Sequence, residues 1–196
     1  MAKSFNVSDF KASFKSVSEL AEWSLFDFRF KALPKCLIGK YDQTHLSGLT
    51  MHTHKVKVPD MTIGTNQVQM SPLSIKYPFE KQNTDITIEV ISSGNLWERK
   101  FFSDWQQGII KHGVPSGSLS ATGNATFDVG YYNDYVTEAQ ITMYNKIGNT
   151  MEGFHIANAW PMSIGELDLD WSHKEEIPTF YVTVSYSSWD YIQILK

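Results

Sequence analysis

Hydrophobic and polar residues alternate most strictly near the end of the chain. Leu167, Leu169 and Trp171 fall on one side of an extended backbone, and Glu166, Asp168 and Asp170 on the other. Beyond the polar turn 172–176, Phe180, Val182, Val184 and Tyr186 share one face, while Tyr181, Thr183, Ser185 and Ser187 share the opposite one. Successive strand side chains point to opposite faces, so this alternation predicts a half-buried antiparallel hairpin. Pro161 and Gly165 set its entrance, the first fixing a bend and the second tolerating an unusual one.

The same period returns upstream. Residues 25–30 set Phe26, Phe28 and Phe30 against Asp27 and Arg29 until Pro34 stops the run. Residues 51–58 read as a strand with His52, His54, Val56 and Val58 on one face, ended by Pro59. A weaker pair lies at 68–70 and 73–75, and residues 85–91 turn Ile86, Ile88 and Val90 inward. Residues 125–129, 135–144 and 151–160 complete the strands, the last two joined by a turn at 145–149. The Gly-bounded segment 39–48 and the Pro/Ser/Gly segment 113–123 read as loops.

Two stretches follow a helical period instead. Residues 8–23 place Phe10, Phe14, Val17 and Leu20 at three- and four-residue steps. Ser8 or Asp9 caps a short helix there, one that packs on the domain edge or reaches a neighbouring subunit. Residues 95–112 place Phe102, Trp105 and Ile109 on one stripe, with Asn95 and Glu98 spaced as a capping box and Gly113 and Pro115 closing the far end. That aromatic stripe reads as core packing. Many strands and one secure helix predict a mainly β fold, antiparallel with the helix on one side. The expected organisation is a single domain over 1–196, with an N-terminal arm or short helix at 1–23 and the flanking helix at 95–112.

Composition narrows the function classes. A chain of 196 residues suits one well-cored domain. A 42% apolar and 14% aromatic content excludes general disorder. The net charge of −4 and pI near 5.8 argue against a dedicated nucleic-acid binder, and no basic cluster stands out. Cys36 is the single cysteine, so neither an internal disulfide nor a cysteine zinc cluster forms. No stretch has the make-up of a signal peptide or membrane span, so a reducing cytoplasm is expected, where the Asn124-Ala-Thr sequon carries no meaning.

Candidate chemistry is thin. His52-x-His54 places two imidazoles at ligand spacing, but His155 is only a distant third, and surface or interface histidines fit better. Asp168-x-Asp170 with Glu166 has the charge for a divalent cation, yet on an alternating strand these carboxylates form the solvated face. Gly39-Lys40 follows Pro34 and precedes Tyr41, which breaks a phosphate loop, and no Gly-x-Ser-x-Gly elbow occurs. Cys36 has no base beside it in sequence. The expectation is no catalytic residue, no metal and no cofactor.

One resemblance is carried by the residues themselves. Trp160-Pro161-Met-Ser-Ile-Gly165-Glu166-Leu167-Asp-Leu169-Asp170-Trp171, followed by Glu176-Ile177-Pro-Thr179-Phe180-Tyr-Val182-Thr183, resembles the C-terminal signature of tail tube proteins of contractile-tailed, T-even-type phages. There the pattern runs Trp-Pro-x-x-(Val/Ile)-Gly-Glu-Leu-x-Leu-Asp-Trp, then Ile-x-Thr-Phe-x-Val-Thr. Phe102-Ser-Asp104-Trp105-Gln106 resembles the Phe-x-Asp-Trp-Gln of that family's long helix. Lys55-Val-Lys57-Val-Pro59 is similar to its segment ending in Leu-Pro, and Trp189 to its late tryptophan. The resemblance runs from about Trp23 onward. Segments 39–48, 67–79 and 113–123 look like insertions, implying outer decoration, sheath contacts or inter-ring loops.

The resemblance implies an antiparallel β-sandwich or half-barrel with one flanking helix, joining hexameric rings around a continuous inner β-barrel. The implied partners are further copies of the chain, the tail sheath protein, and the baseplate tube or initiator and tail terminator proteins. The tape measure protein and genomic DNA would pass through the lumen, and no membrane anchor is implied. The implied setting is the virion tail, assembled in the host cytoplasm. An acidic or neutral bore would let DNA slide, and Glu138 and Gln140 are the expected lumen-facing residues. A baseplate tube initiator and a bacterial type VI secretion-like tube share the implied fold. A carbohydrate-binding β-sandwich is the remaining reading, suggested by aromatic content alone.

Overall fold

The computed structural model describes residues 25–70, 73–113, 126–145, 148–167 and 177–192. The strands are β1 (Phe26–Phe30), β2 (Thr53–Val56), β3 (Met61–Met70), β4 (Leu73–Asn83), β5 (Ile86–Ile91), β6 (Ile110–Gly113), β7 (Thr126–Val129), β8 (Thr137–Tyr144), β9 (Thr150–Ile164), β10 (Thr179–Ser185) and β11 (Ser188–Ile192). The helices are α1 (Gln43–His52), α2 (Trp97–Ile109) and the single turn α3 (Tyr132–Tyr135), with a 3-10 turn at Lys35–Leu37.

Seven strands join in the order β1-β8-β9-β10-β5-β2, with β11 also paired to β9 and every pairing antiparallel. β9 is the spine. Its first part lies between β8 and β11, and its last part pairs with β10. The changeover falls at Asn158, whose φ is 55°, where the pairing with β8 also slips register. An extra residue in one strand bends and twists it, which is how one sheet curls into a half-barrel.

The hollow of that half-barrel holds α2. Phe28, Phe30, Ile141 and Ile156 face it from one side, and Ile86, Ile88, Val90, Phe180, Val182 and Val184 from the other, all buried. Phe102 sets its ring edge-on to Phe30 at 6.4 Å and to Phe180 at 6.3 Å, so one helical side chain ties the two halves together. Trp105 is fully buried and donates its indole N–H to the Tyr135 carbonyl at 2.7 Å. The mainly β, antiparallel half-barrel with a flanking helix is therefore present. Within one chain the barrel stays open.

The period-2 reading holds for β1, β5 and β10, where alternate residues are the buried ones. It also holds for β8, which begins at Thr137 after the α3 turn. At the turn expected over 145–149, Asn149 N donates to the Asn145 side chain at 2.8 Å, and residues 146–147 lie outside the described residues. The weak pair at 68–75 proves to be the long ribbon β3–β4.

Other expectations need correction. The loop expected at 39–48 contains most of α1, because Leu46 and Leu49 are buried and Gly48 lets Trp97 approach within 3.2 Å of where a Cβ would sit. The strand expected at 51–58 shortens to β2, leaving His52 on the helix before it. The helix expected at 95–112 spans Trp97–Ile109, and residues from Ile110 turn into β6 rather than running on to a Gly113 stop. Glu98 does not close a capping box with Asn95, because its carboxylate turns to Ser93 instead. Gly165, Glu166 and Leu167 follow the end of β9 and are not strand. Asp168, Leu169, Asp170 and Trp171, the arm at 1–23, and residues 114–125 lie outside the described residues.

Candidate assembly edges

The signature residues are structural ties. Trp160 stacks edge-on to Tyr135 at 6.0 Å, and Pro161 is buried opposite Val184 beside a register shift, a place where a missing N–H does no harm. β8 stops at its pairing with Ala159, so among the described residues no strand covers that edge of residues 160–164. Side chains of α2 cover it. Gln106 donates to the Met162 carbonyl at 3.1 Å, and Arg99 donates to the Gly165 carbonyl at 2.7 Å while resting 5.7 Å from the Phe180 ring centroid. Unpaired strand edges invite unwanted pairing, and these two long side chains block this one.

Gly165 itself packs closely enough that a side chain would crowd β10. Its N–H donates to the Tyr181 carbonyl at 2.6 Å, and an added Cβ would meet Tyr181 backbone atoms at 3.1 and 3.3 Å. Glu166 is exposed and Leu167 packs against the core. Asp104 accepts a hydrogen bond from the Tyr41 hydroxyl at 2.8 Å and lies 3.7 Å from Lys40 Nζ. Burial, then the Asp104 hydrogen bond and charge, push the Tyr41 hydroxyl up to about 12. Phe102, Asp104, Trp105 and Gln106 therefore have separate jobs: bridging the halves, anchoring the 3-10 turn region, filling the core and covering an edge.

Glu138 and Gln140 lie on the outer face of the β1-β8-β9-β11 half, because their neighbours Ala139 and Ile141 are buried. Glu138 accepts from Lys31 Nζ at 2.9 Å and lies 3.1 Å from His155 Nε2. These two partners, Lys31 first, hold its carboxyl below the usual range. Gln140 accepts from Arg29 at 3.1 Å and donates to Thr142 at 3.2 Å. Asp27 pairs with Thr142, and Asp190 with His155, on this same face. The face bears both charges, with Lys31 paired to Glu138.

Among the described residues this half has two edges without a strand partner, β1 and β11. Both are short, and their strand directions are opposite, because three antiparallel steps separate them. β11 of one copy and β1 of another can thus pair antiparallel.

The two histidines at ligand spacing point to different surroundings. His52 leaves the β2 face and sets Nδ1 2.6 Å from Oε1 of the fully buried Glu98, while His54 is exposed. No group of three ligating side chains occurs among the described residues. Sequence reasoning missed the role of Arg99 and the contact between His52 and Glu98, which it read as a candidate ligand and a capping residue. Arg99 bonds a backbone carbonyl and the other two meet across 46 positions, so no local pattern reveals either contact.

A half-barrel whose described sheet ends in open strand edges suits a subunit that joins other chains edge to edge. The family model described as phage tail tube protein matches residues 21–192, and the chain belongs to that family. It is similar to tail tube protein gp19 of Enterobacteria phages T4 and T6, each 29% identical over 107 residues, 54% of this chain and 59% of theirs. The match thus spans about three-fifths of the length of these relatives. Among solved structures it is similar to a chain of the sheath–tube complex, in its extended state, of an extracellular contractile injection system, PVC. There the TM-score is 0.58 at 15% identity, covering 97% of this chain and 100% of the other. The sheath/tube terminator of that system gives 0.56 at 15% identity, covering 90% and 99%. At such identities the likeness is one of fold.

Proposed function

We propose that this chain is the repeating subunit of the inner tube of a contractile phage tail. Copies join through β11 and β1 into a ring of about six, a head-to-tail contact that closes, and rings stack through a second contact that grows the tube. Closure removes the strand edges that would otherwise aggregate. The observation that carries this reading is the pair of oppositely directed open edges on one curved sheet, which permits an all-antiparallel closed barrel.

The polar face bearing Glu138 and Gln140 lines the bore. DNA carries about one negative charge per 1.7 Å, and free lysines there would trap it. Glu138 prevents this by engaging Lys31. The tube conducts the genome and the tape measure protein, and its outside meets the sheath. Its ends meet the baseplate tube or initiator and the terminator. The subunit performs no reaction and binds no cofactor, and it assembles in the host cytoplasm before residing in the virion tail.

Expression of the full chain, followed by size-exclusion chromatography and negative-stain electron microscopy, tests the reading. Rings or hollow tubes with a bore wide enough for duplex DNA are the expected result. A chain that stays monomeric at high concentration, with preformed tube ends added as seeds, overturns it.

A further inference from the structure

The edges β1 and β11 each leave only alternate residues free to bond another strand. Tyr144 N–H bonds the Leu25 carbonyl and Lys31 N–H bonds the Glu138 carbonyl, so the odd-numbered residues of β1 spend their backbone groups on β8. Phe26, Phe28 and Phe30 turn theirs to the open edge. The same alternation, carried through the registers of β8, β9 and β11, leaves the backbone groups of Trp189 and Tyr191 at the other edge.

On both strands these edge-bonding residues also point their side chains to the α2 side of the sheet. Phe28 and Phe30 are buried there, and Trp189 packs beside Phe154, while Tyr191 stays 58% exposed. The residues between them, Asp27, Arg29 and Asp190, lie on the polar face. Arg29 is exposed and gives one nitrogen to Gln140. Asp190 is exposed and has no ion-pair partner among the described residues.

An antiparallel join that keeps both faces continuous must set Tyr191 opposite Phe26, Phe28 or Phe30. Opposite Phe30, little of either strand overlaps the other. Opposite Phe26, Asp190 meets Asp27, and like charges directly opposite are unfavourable. Opposite Phe28, residues Asp27 to Phe30 pair with Trp189 to Ile192, and Asp190 meets Arg29. Sliding between these registers in steps of two keeps the backbone bonds and both faces. The backbone therefore leaves the choice to overlap and charge.

We propose that copies of this chain join with Tyr191 of one copy opposite Phe28 of the next, locked by an ion pair from Asp190 to Arg29 on the polar face. This rests on the ring reading above, which joins β11 to β1 without fixing how far one strand slides along the other. The Arg29 guanidinium carries five donors in a fixed fork, so it serves Gln140 and the neighbour's carboxylate together.

In this register Arg29 and Asp190 form a non-hydrogen-bonded pair, with Cα atoms about 4.5 Å apart and within disulfide reach. The full chain carrying R29C/D190C, or D27C/D190C for the rival register, is oxidised after assembly and run on a denaturing gel without reductant. R29C/D190C should give a covalent ladder rising to a closed ring, and D27C/D190C should stay largely single chains. The unsubstituted chain, with Cys36 alone, sets the background. A ladder of equal or greater strength from D27C/D190C overturns the register. Tubes that give neither ladder overturn the join of β11 to β1, while the chain remains a tube subunit. Charge reversal is the second arm. R29D and D190R should each raise the concentration needed for tubes severalfold, and R29D/D190R should bring it back toward the parent. Circular dichroism melts matching the parent show that the body is intact, since both side chains are exposed. A double variant no better than the worse single one overturns the ion pair. If the unsubstituted chain never assembles even with seeds, the tube reading falls and this inference falls with it.

Discussion

Asn158 donates its side-chain amide to the Ser187 hydroxyl at 2.9 Å, joining the two points where neighbouring strands break direction. Ser187 separates β10 from β11 and returns its own N–H to the Ala157 carbonyl at 3.1 Å. Both β9 and the β10–β11 run turn this corner together, so a single curved sheet forms instead of two separate ones. Asparagine tolerates the left-handed backbone at this corner better than a branched residue does. N158V should therefore lower stability by about 1–3 kcal/mol. N158G should lose less, since only the amide bond goes. Urea unfolding midpoints of the dispersed chain measure both, and equal midpoints for Val and Asn would mean that the corner carries no strain.

Glu98 sits in the first turn of α2 with no exposed surface, accepting the N–H and hydroxyl of Ser93 at 3.1 and 2.8 Å. Its other oxygen meets His52, so one carboxylate fixes the entry to α2 and the end of α1. E98A should cost about 1–3 kcal/mol by leaving the part-buried Ser93 N–H and hydroxyl without their acceptor. Hydrogen exchange at the Ser93 amide gives the local readout. Unchanged protection there would show that the carboxylate is dispensable.

These two contacts mark where the sequence stops being legible. The faces of β1, β5 and β10 were readable, because one exposed and one buried residue alternate within each strand and no distant partner is needed. The stripe of Phe102, Trp105 and Ile109 was readable for the same reason at helical spacing. α1 was not, since Gly48 looks like a loop marker until Trp97 is known to press against it. The hairpin expected from Leu167, Leu169 and Trp171 failed at Glu166 and Leu167, because the strand that pairs with β10 is the stretch before Gly165. Gly165 carries the pairing one step further by bonding the Tyr181 carbonyl, and alternation alone cannot reveal so close an approach.

Tyr41 ties the chain's behaviour in alkali to a signature residue. Its folded value of about 12 lies above the ordinary tyrosine value of about 10. The unfolded chain releases this proton first, so the contribution is complete below about pH 10 and is lost as pH rises toward about 12. The urea midpoint should fall across that window, and less steeply in Y41F. Some slope remains in the variant, because burial also raises Tyr186. Parallel slopes for the two chains would mean that Tyr41 ionises freely in the folded state.

Gly165 and Gly94 offer a matched pair. An alanine at Gly165 meets the fixed backbone of β10, whereas at Gly94 nothing lies within 4 Å. G165A should destabilise by about 1–3 kcal/mol through overpacking, and G94A should stay within about 0.5 kcal/mol of the parent. A thermal melt of each chain separates them. Two equal melts would remove close packing as the reason for glycine in the signature.

The assignment of the bore makes a sharper demand. Reversing Glu138 and charging Gln140 in E138K/Q140K frees Lys31 from its partner and adds two lysines beside it. On the proposed face, about six copies per ring then line the passage with cations that DNA can neutralise by releasing its counterions. Assembled variant tubes should retain duplex DNA at about 50 mM salt and release it steeply by several hundred millimolar, while parent tubes retain little. DNA held in the bore is shielded by the wall, so retained DNA should resist added nuclease. Retention without protection would place Glu138 and Gln140 on the outside of the tube. Loss of both would mean that this face is buried between copies and that another sheet surface lines the passage.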